Sequence, residues 1–365
     1  MNGEVVVVGA GINGLSTAWQ LGRMGRRVLV LDQHPEGHAF GSSHGATRIT
    51  RSSYGDPVWV DLVREANVSA WPALEAEAGE ALRIPRSGCF FGSANGPLRR
   101  YAEAAAGVVE PLTTAEAARR FPLFRFSAED LVLVDPTAGI VAAARTLRAL
   151  GRRIQQQGGT IRRNVTVEAV EPGPPHRLRL SGGETLESAF VVLCAGPWSA
   201  QFLPRAARPL RVMGQTVAFF EHPEADTCPP WAYIAEDRFF YGLPGRASPD
   251  EAPGLKAALH HTVGPDEGLA PVTPAPEVVI RFLYDRLTEP PGAPIRTETC
   301  RYTMTENERF VLDLLAPGLA VGAGFSGHSF KFGPLTGRIL AELCINGQSD
   351  VSAFSRKQHE FSIGG

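Results

Sequence analysis

The first 32 residues constrain the fold more than any other part of the chain. Val5–Val8 is a short, wholly apolar and β-branched run, which is typical of a strand buried on both faces of a parallel sheet. In the segment GAGINGLSTAWQLGRMG that follows, apolar residues recur at helical spacing, at Leu15, Ala18, Leu21 and Met24. A second apolar run, Val28–Leu31, ends at Asp32. The sequence therefore predicts one βαβ unit at the N-terminus.

Three glycines at the turn of this unit predict a dinucleotide site. Gly9, Gly11 and Gly14 form G-x-G-x-x-G between the predicted strand and the predicted helix. The first glycine allows the tight turn, the second lets the backbone approach a pyrophosphate, and the third permits close helix packing. Asp32, at the end of the second strand, is placed to accept hydrogen bonds from a ribose. A glycine-rich turn that serves packing alone is the alternative, and the motif does not choose between NAD and FAD.

Composition narrows the classes of partner. The chain has 365 residues, 44% of them hydrophobic, which favours two intergrown domains. Its net charge of −2 and pI of about 6.5 indicate neither nucleic acid nor an anionic membrane as a partner. No apolar stretch approaches the roughly 20 residues that cross a bilayer, and no basic leader opens the chain, so we expect a soluble, cytoplasmic protein. The five cysteines lack C-x-x-C spacing and predict neither a disulfide framework nor a metal site.

Lysine is scarce in this chain. Of the 36 basic residues, three are lysine, namely Lys256, Lys331 and Lys357. A compact ammonium can shift its pKa and fit where a planar guanidinium cannot, so a lysine kept against this bias indicates a specific need. For Lys357, near the polar C-terminus, chance is the favoured explanation.

The rest of the chain predicts an α/β fold with a second, α+β domain. Helices are predicted near residues 58–78 and 140–157, and strands near 89–92, 165–170, 176–180 and 189–194. From about 209 to 303 the pattern becomes β-rich between proline-containing loops, which indicates a largely antiparallel second domain. LAVGAG then predicts a strand that leads into a helix. A nucleotide domain that is interrupted by a β-rich domain favours FAD, because a flavin ring must span the interface between two domains. We therefore assign residues 1–82, 139–210 and 304–365 to a Rossmann-type FAD-binding domain, and 83–138 and 211–303 to an antiparallel-sheet substrate domain.

Five motifs carry a resemblance to a known family. In chain order they are GAGINGLSTA, SHGATRITRSSYG, FFYGLP with GLK and a following histidine, TCRYTMTENERFVLD, and GAGFSGHSFKFGP. Together they resemble the monomeric sarcosine oxidase and N-methyltryptophan oxidase family, within the D-amino-acid-oxidase-like flavoproteins. The similarity spans nearly the whole chain, and five motifs in order are far more specific than the glycine fingerprint alone.

The resemblance implies that the cofactor is FAD. Cys300 matches the family cysteine that forms a thioether with the 8α-methyl of FAD, and Arg48 matches an arginine beside the flavin. The residues expected to bind the cofactor are Gly9, Gly11, Ile12, Asn13, Gly14, Asp32, Ser43, His44, Arg48, Val167, Cys300, Gly324, Gly327 and Lys331.

The resemblance also implies a substrate and a reaction. Arg51 and Lys331 match the pair that binds the substrate carboxylate, and Lys256 matches the lysine where oxygen is reduced. The side chains expected to line the substrate cavity are Tyr241, His260, Tyr302 and His328. The implied activity is oxidation of a small secondary or cyclic amino acid by a monomeric enzyme, with hydride transfer to flavin N5 and reduction of O₂ to H₂O₂.

Each assignment has an alternative. Arg51 is otherwise one arm of a salt bridge, and His260 and His328 are otherwise hydrogen-bonded packing elements. Tyr241 and Tyr302 are otherwise core residues, and Cys300 a small buried thiol. The loop GLPGRASPDEAPGL is longer than expected for sarcosine enzymes, which leaves a larger or cyclic substrate of a biosynthetic enzyme open. A dehydrogenase that passes electrons to another protein, a flavin-binding module without turnover and a nicotinamide enzyme also remain as hypotheses.

Overall fold

Four β-sheets and nine α-helices form the part of the chain that this computed structural model describes, residues 4–204, 209–260, 268–269 and 276–364. The strands are β1 (Val5–Val8), β2 (Val28–Leu31), β3 (Thr47–Thr50), β4 (Arg83–Pro85), β5 (Gly88–Ser93), β6 (Glu110–Leu112), β7 (Asp130–Asp135), β8 (Gly139–Ala142), β9 (Thr160–Arg162), β10 (Val167–Glu171), β11 (His176–Leu180), β12 (Thr185–Ser188), β13 (Val191–Leu193), β14 (Arg211–Phe220), β15 (Trp231–Ile234), β16 (Phe239–Pro244), β17 (Leu255–Leu259), β18 (Pro294–Met304), β19 (Val311–Ala316) and β20 (Leu319–Ala323). The helices are α1 (Ile12–Arg23), α2 (Pro57–Glu65), α3 (Trp71–Ala78), α4 (Leu98–Ala104), α5 (Thr114–Arg120), α6 (Ala143–Gln156), α7 (Glu277–Arg286), α8 (Gly333–Asn346) and α9 (Ser352–Ser355).

A six-stranded sheet in the order β19-β20-β13-β1-β2-β9 contains the predicted βαβ unit. Every neighbouring pair in it is parallel except β19 and β20, which are antiparallel. Strand β1 lies in the interior of the sheet, where Val7 pairs with Val30 on one side and Val192 on the other. The predicted α/β fold class is confirmed, and the predicted strand LAVGAG is β20.

Both faces of this sheet are covered, which explains why its strands are apolar throughout. Val5 and Val7 of β1 face a core shared with the helices α1, α6 and α8. Val6 and Val8 face a second core, shared with the separate antiparallel sheet β10-β11-β12. Strand side chains alternate between the two faces, so a strand buried on both sides needs no polar position.

Helices α1 and α8 pack closely because glycine faces serine. A Cβ added to Gly337 of α8 would lie 2.6 Å from Ser16 Cβ and 2.5 Å from the Ser16 carbonyl carbon of α1. Thr336 Oγ1 donates a 2.7 Å hydrogen bond to Asn13 Oδ1 across the same contact. Helix α8 therefore packs against and stabilises α1, the helix that begins just after the glycine turn.

An eight-stranded sheet forms the second half of the molecule, in the order β18-β14-β17-β16-β15-β5-β7-β6. Strands β5 and β15 are parallel, and the other neighbours are antiparallel. Leu255 and Ala257 of β17 belong to an apolar core with α7, where the rings of Phe240 and Phe282 stack 4.1 Å apart. Because side chains alternate along β17, Lys256 points to the opposite face.

The loop before β17 is closed at its base. The backbone N–H of Gly245 donates a 2.8 Å hydrogen bond to the carbonyl of Gly254, and Arg246 forms an ion pair with Asp226. Arg296 of β18 donates to the carbonyls of Ala252 and Pro253 at the other end of the loop. This is the segment that the sequence marked as unusually long.

The predicted helix at 140–157 is wrong in its first turn. Residues 139–142 form β8, the middle strand of the sheet β3-β8-β4, and α6 begins at Ala143. Ile140 and Val141 are buried and pair with strands on both sides, which β-branched residues favour. Their spacing relative to Leu147 matched a helix by coincidence.

The predicted helix at 58–78 exists but is interrupted. A π-helical turn at Ala66–Ala70 separates α2 from α3. Pro72 lacks the N–H that an α-helix would require there, which accounts for the irregular turn before it.

After β20, helix α8 begins at Gly333, following a 3₁₀ turn at Phe330–Phe332. The predicted strands near 165–170, 176–180 and 189–194 appear as β10, β11 and β13, and residues 261–267 and 270–275 of the predicted second domain lie outside the described ranges.

None of the helices in the described ranges is both long and apolar enough to cross a membrane. Groups of three or more histidine, cysteine or acidic residues that could hold a metal ion are also absent from those ranges. All five cysteines are buried and free.

We expect Gly337→Ala to destabilise the fold, because its new methyl group would meet the backbone of α1. Overpacking of this kind costs about 1–3 kcal/mol in the free energy of unfolding. Gly151→Ala in α6 is the matched control, since its Cβ would meet nothing nearer than Ile161 Cδ1 at 3.9 Å. Alanine in a helix should stabilise that variant by about 0.5–1 kcal/mol. Chemical denaturation measures both, and a Gly337→Ala protein as stable as wild type would contradict the close packing.

Candidate active site

The glycine turn packs closely against neighbouring backbone. Gly9 has φ of +103°, and a Cβ there would lie 2.3 Å from the Cys194 carbonyl oxygen. A Cβ on Gly14 would lie 1.9 Å from the Gly9 carbonyl oxygen. The N–H of Ile12 donates to Ser43 Oγ at 3.1 Å, which joins the first turn of α1 to the segment before β3. Side chains larger than hydrogen are therefore excluded at Gly9 and Gly14.

Asp32 closes the turn from the end of β2. Its Oδ2 accepts a 2.6 Å hydrogen bond from the N–H of Ala10, and its Oδ1 accepts one of 2.9 Å from the N–H of His34. The residue is buried and lines the cavity described next. The fixed carboxylate is suited to the ribose hydroxyls of a dinucleotide, and the N-terminus of α1 beside it is suited to the pyrophosphate.

A cavity of about 1190 Å³ runs from this turn to the inner face of the eight-stranded sheet. The predicted site residues that line it are Gly9, Gly11, Ile12, Asn13, Asp32, Ser43, His44, Arg48, Arg51, Val167, Tyr241, Lys256, His260, Cys300, Tyr302, Gly327, His328 and Lys331. Gly14 and Gly324 are not in its wall. A Cβ on Gly324, where φ is +61°, would lie 2.5 Å from Thr305 Cγ2, so both glycines serve close packing behind the wall.

Arg51 enters the cavity among aromatic rings. Its guanidinium carbon lies 4.0 Å from the centre of the Tyr54 ring and 5.7–5.9 Å from the rings of Phe90, Tyr101 and Phe239. Its Nη1 atom is buried, and the described residues offer that atom no hydrogen-bond partner. A desolvated guanidinium with an unused donor is suited to a carboxylate ligand.

Lys331 lies in the same region of the cavity. Its Nζ donates to Tyr54 Oη at 2.9 Å and to the carbonyl of His328 at 2.8 Å. Burial, with the nearby Arg51 charge, holds the pKa of Lys331 well below its ordinary value. An anion bound between these cations would reverse part of that shift.

Lys256 is the buried cation on the inner face of the eight-stranded sheet. Its Nζ donates a 3.0 Å hydrogen bond to the carbonyl of Thr47. Burial and the Arg48 charge lower the pKa of Lys256 to about 7, against the opposing influence of Glu298. The ammonium is therefore poised to change its charge near neutral pH.

Tyrosine and histidine side chains complete this part of the wall. The hydroxyl groups of Tyr241 and Tyr302 lie 3.3 Å apart, and burial raises the pKa of both. The His260 ring lies 5.3 Å from the Tyr302 ring. His328 Nδ1 lies 3.3 Å from Tyr54 Oη, and burial, together with the Lys331 charge, holds the pKa of His328 well below its ordinary value. These four side chains therefore lie in the wall of one cavity.

Cys300 lies on β18 with its Sγ 4.0 Å from the carbonyl oxygen of Ser42. Burial raises the pKa of the Cys300 thiol, while the charges of Arg48 and Lys256 lower it. Arg48 donates to the carbonyls of Ser42, His44 and Thr47 and so holds the segment that faces Cys300. Burial, with that same guanidinium, lowers the pKa of His44 to about 4.

Sequence reasoning missed several residues of the wall. Tyr54, Tyr101, Glu298 and Glu308 all line the cavity. Tyr54 lies inside a quoted motif, three residues after Arg51, and that spacing was an available signal. Glu308 lies within the quoted motif TCRYTMTENERFVLD. Its φ of +58° is a left-handed conformation that non-glycine residues rarely adopt, and local sequence patterns do not predict it. Tyr101 comes from α4, where no local pattern distinguishes it.

The fold and this cavity define a dinucleotide-dependent oxidoreductase. The family model described as FAD dependent oxidoreductase matches residues 4–343, and the chain belongs to that family. Peroxisomal sarcosine oxidase from Mus musculus is 32% identical over 94% of this chain and 92% of its own length. Monomeric sarcosine oxidase from Streptomyces avermitilis is 28% identical over 94% of each chain.

A solved structure extends the likeness to three dimensions. NikD, described as an unusual amino acid oxidase essential for nikkomycin biosynthesis, superposes with a TM-score of 0.83 and 26% identity over 99% of this chain and 97% of its own. The predicted family, the FAD cofactor and the enzyme class, a flavin-dependent oxidase of a CH–NH group, are confirmed. The glycine turn, the Asp32 carboxylate and a cavity that spans both sheets fit FAD.

The lowered pKa of Lys256 predicts how folding stability changes with pH. Its folded value of about 7 lies below the ordinary 10.5, so between these pH values the unfolded state binds more protons. Stability conferred through this group therefore rises with pH across that range and is lowest below it. Wild type should gain stability relative to Lys256→Met as the pH is raised from about 7 to about 10.

Denaturant titrations at equal flavin content measure this difference. The control is Lys357→Met, because the Lys357 side chain is 48% exposed and its replacement should leave the shape of the profile unchanged. Parallel profiles for wild type and Lys256→Met would contradict the assigned burial of the ammonium.

Proposed function

We propose that this protein oxidises a small secondary or cyclic amino acid at the carbon next to nitrogen, and that O₂ is reduced to H₂O₂. Sarcosine, other N-methyl amino acids, L-proline and L-pipecolate are the candidate substrates. The observation that carries the proposal is the pair of buried cations, Arg51 and Lys331, in the wall of one cavity. The names of the relatives, sarcosine oxidase in Mus musculus and N-methyl-L-tryptophan oxidase in Yersinia pestis, support it.

In this proposal Arg51 and Lys331 bind the substrate carboxylate. Charge-assisted hydrogen bonds from desolvated groups orient a small substrate strongly, and loss of one partner costs about 2–5 kcal/mol. The aromatic rings around Arg51 exclude water from that end of the cavity. A fixed carboxylate leaves the adjacent C–N bond in one orientation.

The same cations act on the substrate nitrogen. The amine must be neutral for its lone pair to assist bond cleavage, and nearby positive charges disfavour an ammonium. Tyr241, Tyr302, His260 and His328 supply further polar groups of the wall, and FAD, when bound, supplies the hydride acceptor. We assign these four side chains to substrate positioning.

Lys256 is assigned to the oxygen reaction. O₂ gains negative charge as it is reduced, and a buried ammonium stabilises such charge far better than water does. Its hydrogen bond to the Thr47 carbonyl fixes the ammonium on the inner face of the sheet. The flexible aliphatic chain of Lys256 carries a compact ammonium to this position, where the planar guanidinium of an arginine would be bulkier.

The test of the activity is direct. Purified protein should be yellow, lose its flavin absorbance under nitrogen with at least one of the four substrate types, and release H₂O₂ in air. If no amine bleaches the flavin, the proposed reaction fails and a binding module without turnover takes its place.

Lys256→Met serves as the comparison within this experiment. It should keep bleaching by the amine and re-oxidise slowly in air, because the oxygen step alone needs the ammonium. If wild type itself bleaches but re-oxidises slowly, the enzyme is a dehydrogenase that passes electrons to another protein. Equal losses in both steps for Lys256→Met would remove its assigned role.

We also propose that FAD is attached through an 8α-thioether to Cys300. Its support is the position of Cys300 in the cavity wall on β18, next to the Arg48 and Lys256 charges, which partly offset the rise that burial causes in the pKa of the thiol. Acid precipitation of wild type should give a yellow pellet, and Cys300→Ala should give a colourless one. Cys89→Ala is the control, because that buried thiol lies outside the cavity wall and its pellet should stay yellow. A colourless wild-type pellet would exclude the link.

A larger or cyclic substrate of a biosynthetic oxidase is the second candidate. The likeness to NikD favours it, and so does the long loop at 245–254, part of which lines the cavity at Asp250, Glu251 and Ala252. Turnover of a cyclic amino acid bulkier than L-pipecolate, with no turnover of sarcosine, L-proline or L-pipecolate, would select this candidate.

Three further assignments belong with the proposal. The domains are proposed as residues 1–82, 139–210 and 304–365 for FAD, and 83–138 and 211–303 for substrate. The monomeric state takes support from relatives named monomeric sarcosine oxidase. The cytoplasm is proposed as the compartment.

A further inference from the structure

Asp135 is a fully buried carboxylate at the end of β7. Its Oδ2 accepts hydrogen bonds from two consecutive backbone N–H groups, Ser52 at 2.6 Å and Ser53 at 2.8 Å. Its Oδ1 accepts from the N–H of Thr137 at 2.9 Å and from the Thr137 hydroxyl at 2.6 Å. That hydroxyl also lies 2.7 Å from Ser52 Oγ.

Within the described residues, hydrogen bonds and not an ion pair hold the carboxylate of Asp135. Among the ion pairs of the described residues none involves Asp135, so backbone and hydroxyl dipoles alone stabilise its charge. A buried charge held in this way is costly to form and costly to disturb, because removing it leaves several buried donors without a partner. Such an arrangement fixes the backbone that it touches.

The fixed backbone is the one that carries Arg51 and Tyr54. Residues 51–56 connect the end of β3 to the start of α2 and belong to neither element. Ser52 and Ser53 lie between the two functional side chains, so the orientation of their peptides directs both Arg51 and Tyr54 into the cavity. Tyr54 in turn accepts the hydrogen bond from Lys331 Nζ.

Asp135 also joins two walls of the cavity. Its partner across the sheet is Gly88 of β5, two residues before Phe90, whose ring lies 5.8 Å from the Arg51 guanidinium. The segment from β3 is thereby tied to the eight-stranded sheet. Asp135 itself is not among the residues that line the cavity, so any effect on a ligand passes through the segment that it holds.

We infer that Asp135 is a positioning residue for substrate binding, which holds residues 52 and 53 so that Arg51 meets the substrate carboxylate and Tyr54 holds Lys331 beside it. The inference rests on the proposed function, in which Arg51 binds that carboxylate. A displacement of Arg51 by about 1 Å would be enough to weaken the interaction severely.

The experiment uses the Asp135→Asn holoenzyme. Asparagine keeps the shape but loses the charge and presents an NH₂ group to donors that need an acceptor. We expect KM for the oxidised amine to rise about 10- to 100-fold, with kcat changed much less. The Kd of acetate, measured from its effect on the flavin absorbance spectrum, should rise by a similar factor, and the flavin content should stay that of wild type.

Asp130→Asn is the matched control on the same strand. Asp130 is also buried, but it pairs with Arg286 at 2.9 Å and accepts from the N–H of Ser127 at 2.8 Å, away from the cavity wall. It should lose stability with KM and the acetate Kd unchanged. If Asp135→Asn behaves like Asp130→Asn, the carboxylate is structural and the inference is overturned.

A milder variant covers the case in which Asp135→Asn does not fold. Thr137→Val keeps the carboxylate and the side-chain shape but removes the hydroxyl that joins Asp135 to Ser52. A rise of about 2- to 5-fold in the acetate Kd is expected. An unchanged Kd in this variant would overturn the inference.

Arg51→Met separates this inference from the function on which it rests. If Arg51→Met leaves the acetate Kd unchanged, the carboxylate site itself is elsewhere and the proposed function fails. If Arg51→Met raises the Kd and Asp135→Asn does not, the inference alone fails. In the double variant, Asp135→Asn should add little to the effect of Arg51→Met on the acetate Kd, because both substitutions affect the same interaction, the one between Arg51 and the carboxylate.

Discussion

Arg51, Lys256 and Lys331 are each buried in the wall of one cavity, and none of them forms an ion pair with a residue in the described ranges. Taking a cation out of water is expensive unless a partner compensates it. The protein partly offsets the cost with carbonyl and hydroxyl acceptors and with aromatic rings. The rest of this desolvation cost would be recovered when an anionic ligand binds, because its negative charge would pair with the cations. The chemistry proposed for the site depends on this positive charge, which Glu298 near Lys256 and Glu308 near Arg51 offset only in part.

The three cations come from parts of the chain that belong to different sheets. Lys331 follows the last strand of the parallel sheet and Lys256 belongs to the antiparallel one, while Arg51 leaves the small sheet between them. No single element contains the site, so its geometry depends on how these parts are joined. One such joint consists of the hydrogen bonds that the N–H groups of Ser52 and Ser53 donate to the carboxylate of Asp135.

Sequence patterns predicted the parts of the fold that rest on local periodicity. The βαβ unit and its glycine turn were predictable because strand, turn and helix each leave a local signature. Ile140 and Val141 were assigned to a helix because a doubly buried strand and a helix face have similar short-range patterns, and pairing with β3 and β4 decided between them.

The candidate site was predictable where a motif gave a family match, as at Arg51, Lys331 and Cys300. Tyr101 was not, because it reaches the cavity from α4 through tertiary packing that no short pattern records. The joint at Asp135 was invisible for the same reason, since it links residues more than 80 positions apart. Local signals did exist for two other residues of the wall: Glu298 lies two residues before Cys300 on β18, and Glu308 lies within the motif TCRYTMTENERFVLD.

Strand β17 places Lys256 between two core residues, and this alternation limits where the chain can change length. One inserted residue within β17 would turn the lysine toward the apolar core and bring an alanine or leucine to the cavity. The loop just before it carries no such penalty, because the hydrogen bond between Gly245 and Gly254 closes it at its base. Engineered variants can therefore change the length of this loop, which lines the cavity at Asp250, Glu251 and Ala252, while the register of Lys256 stays intact.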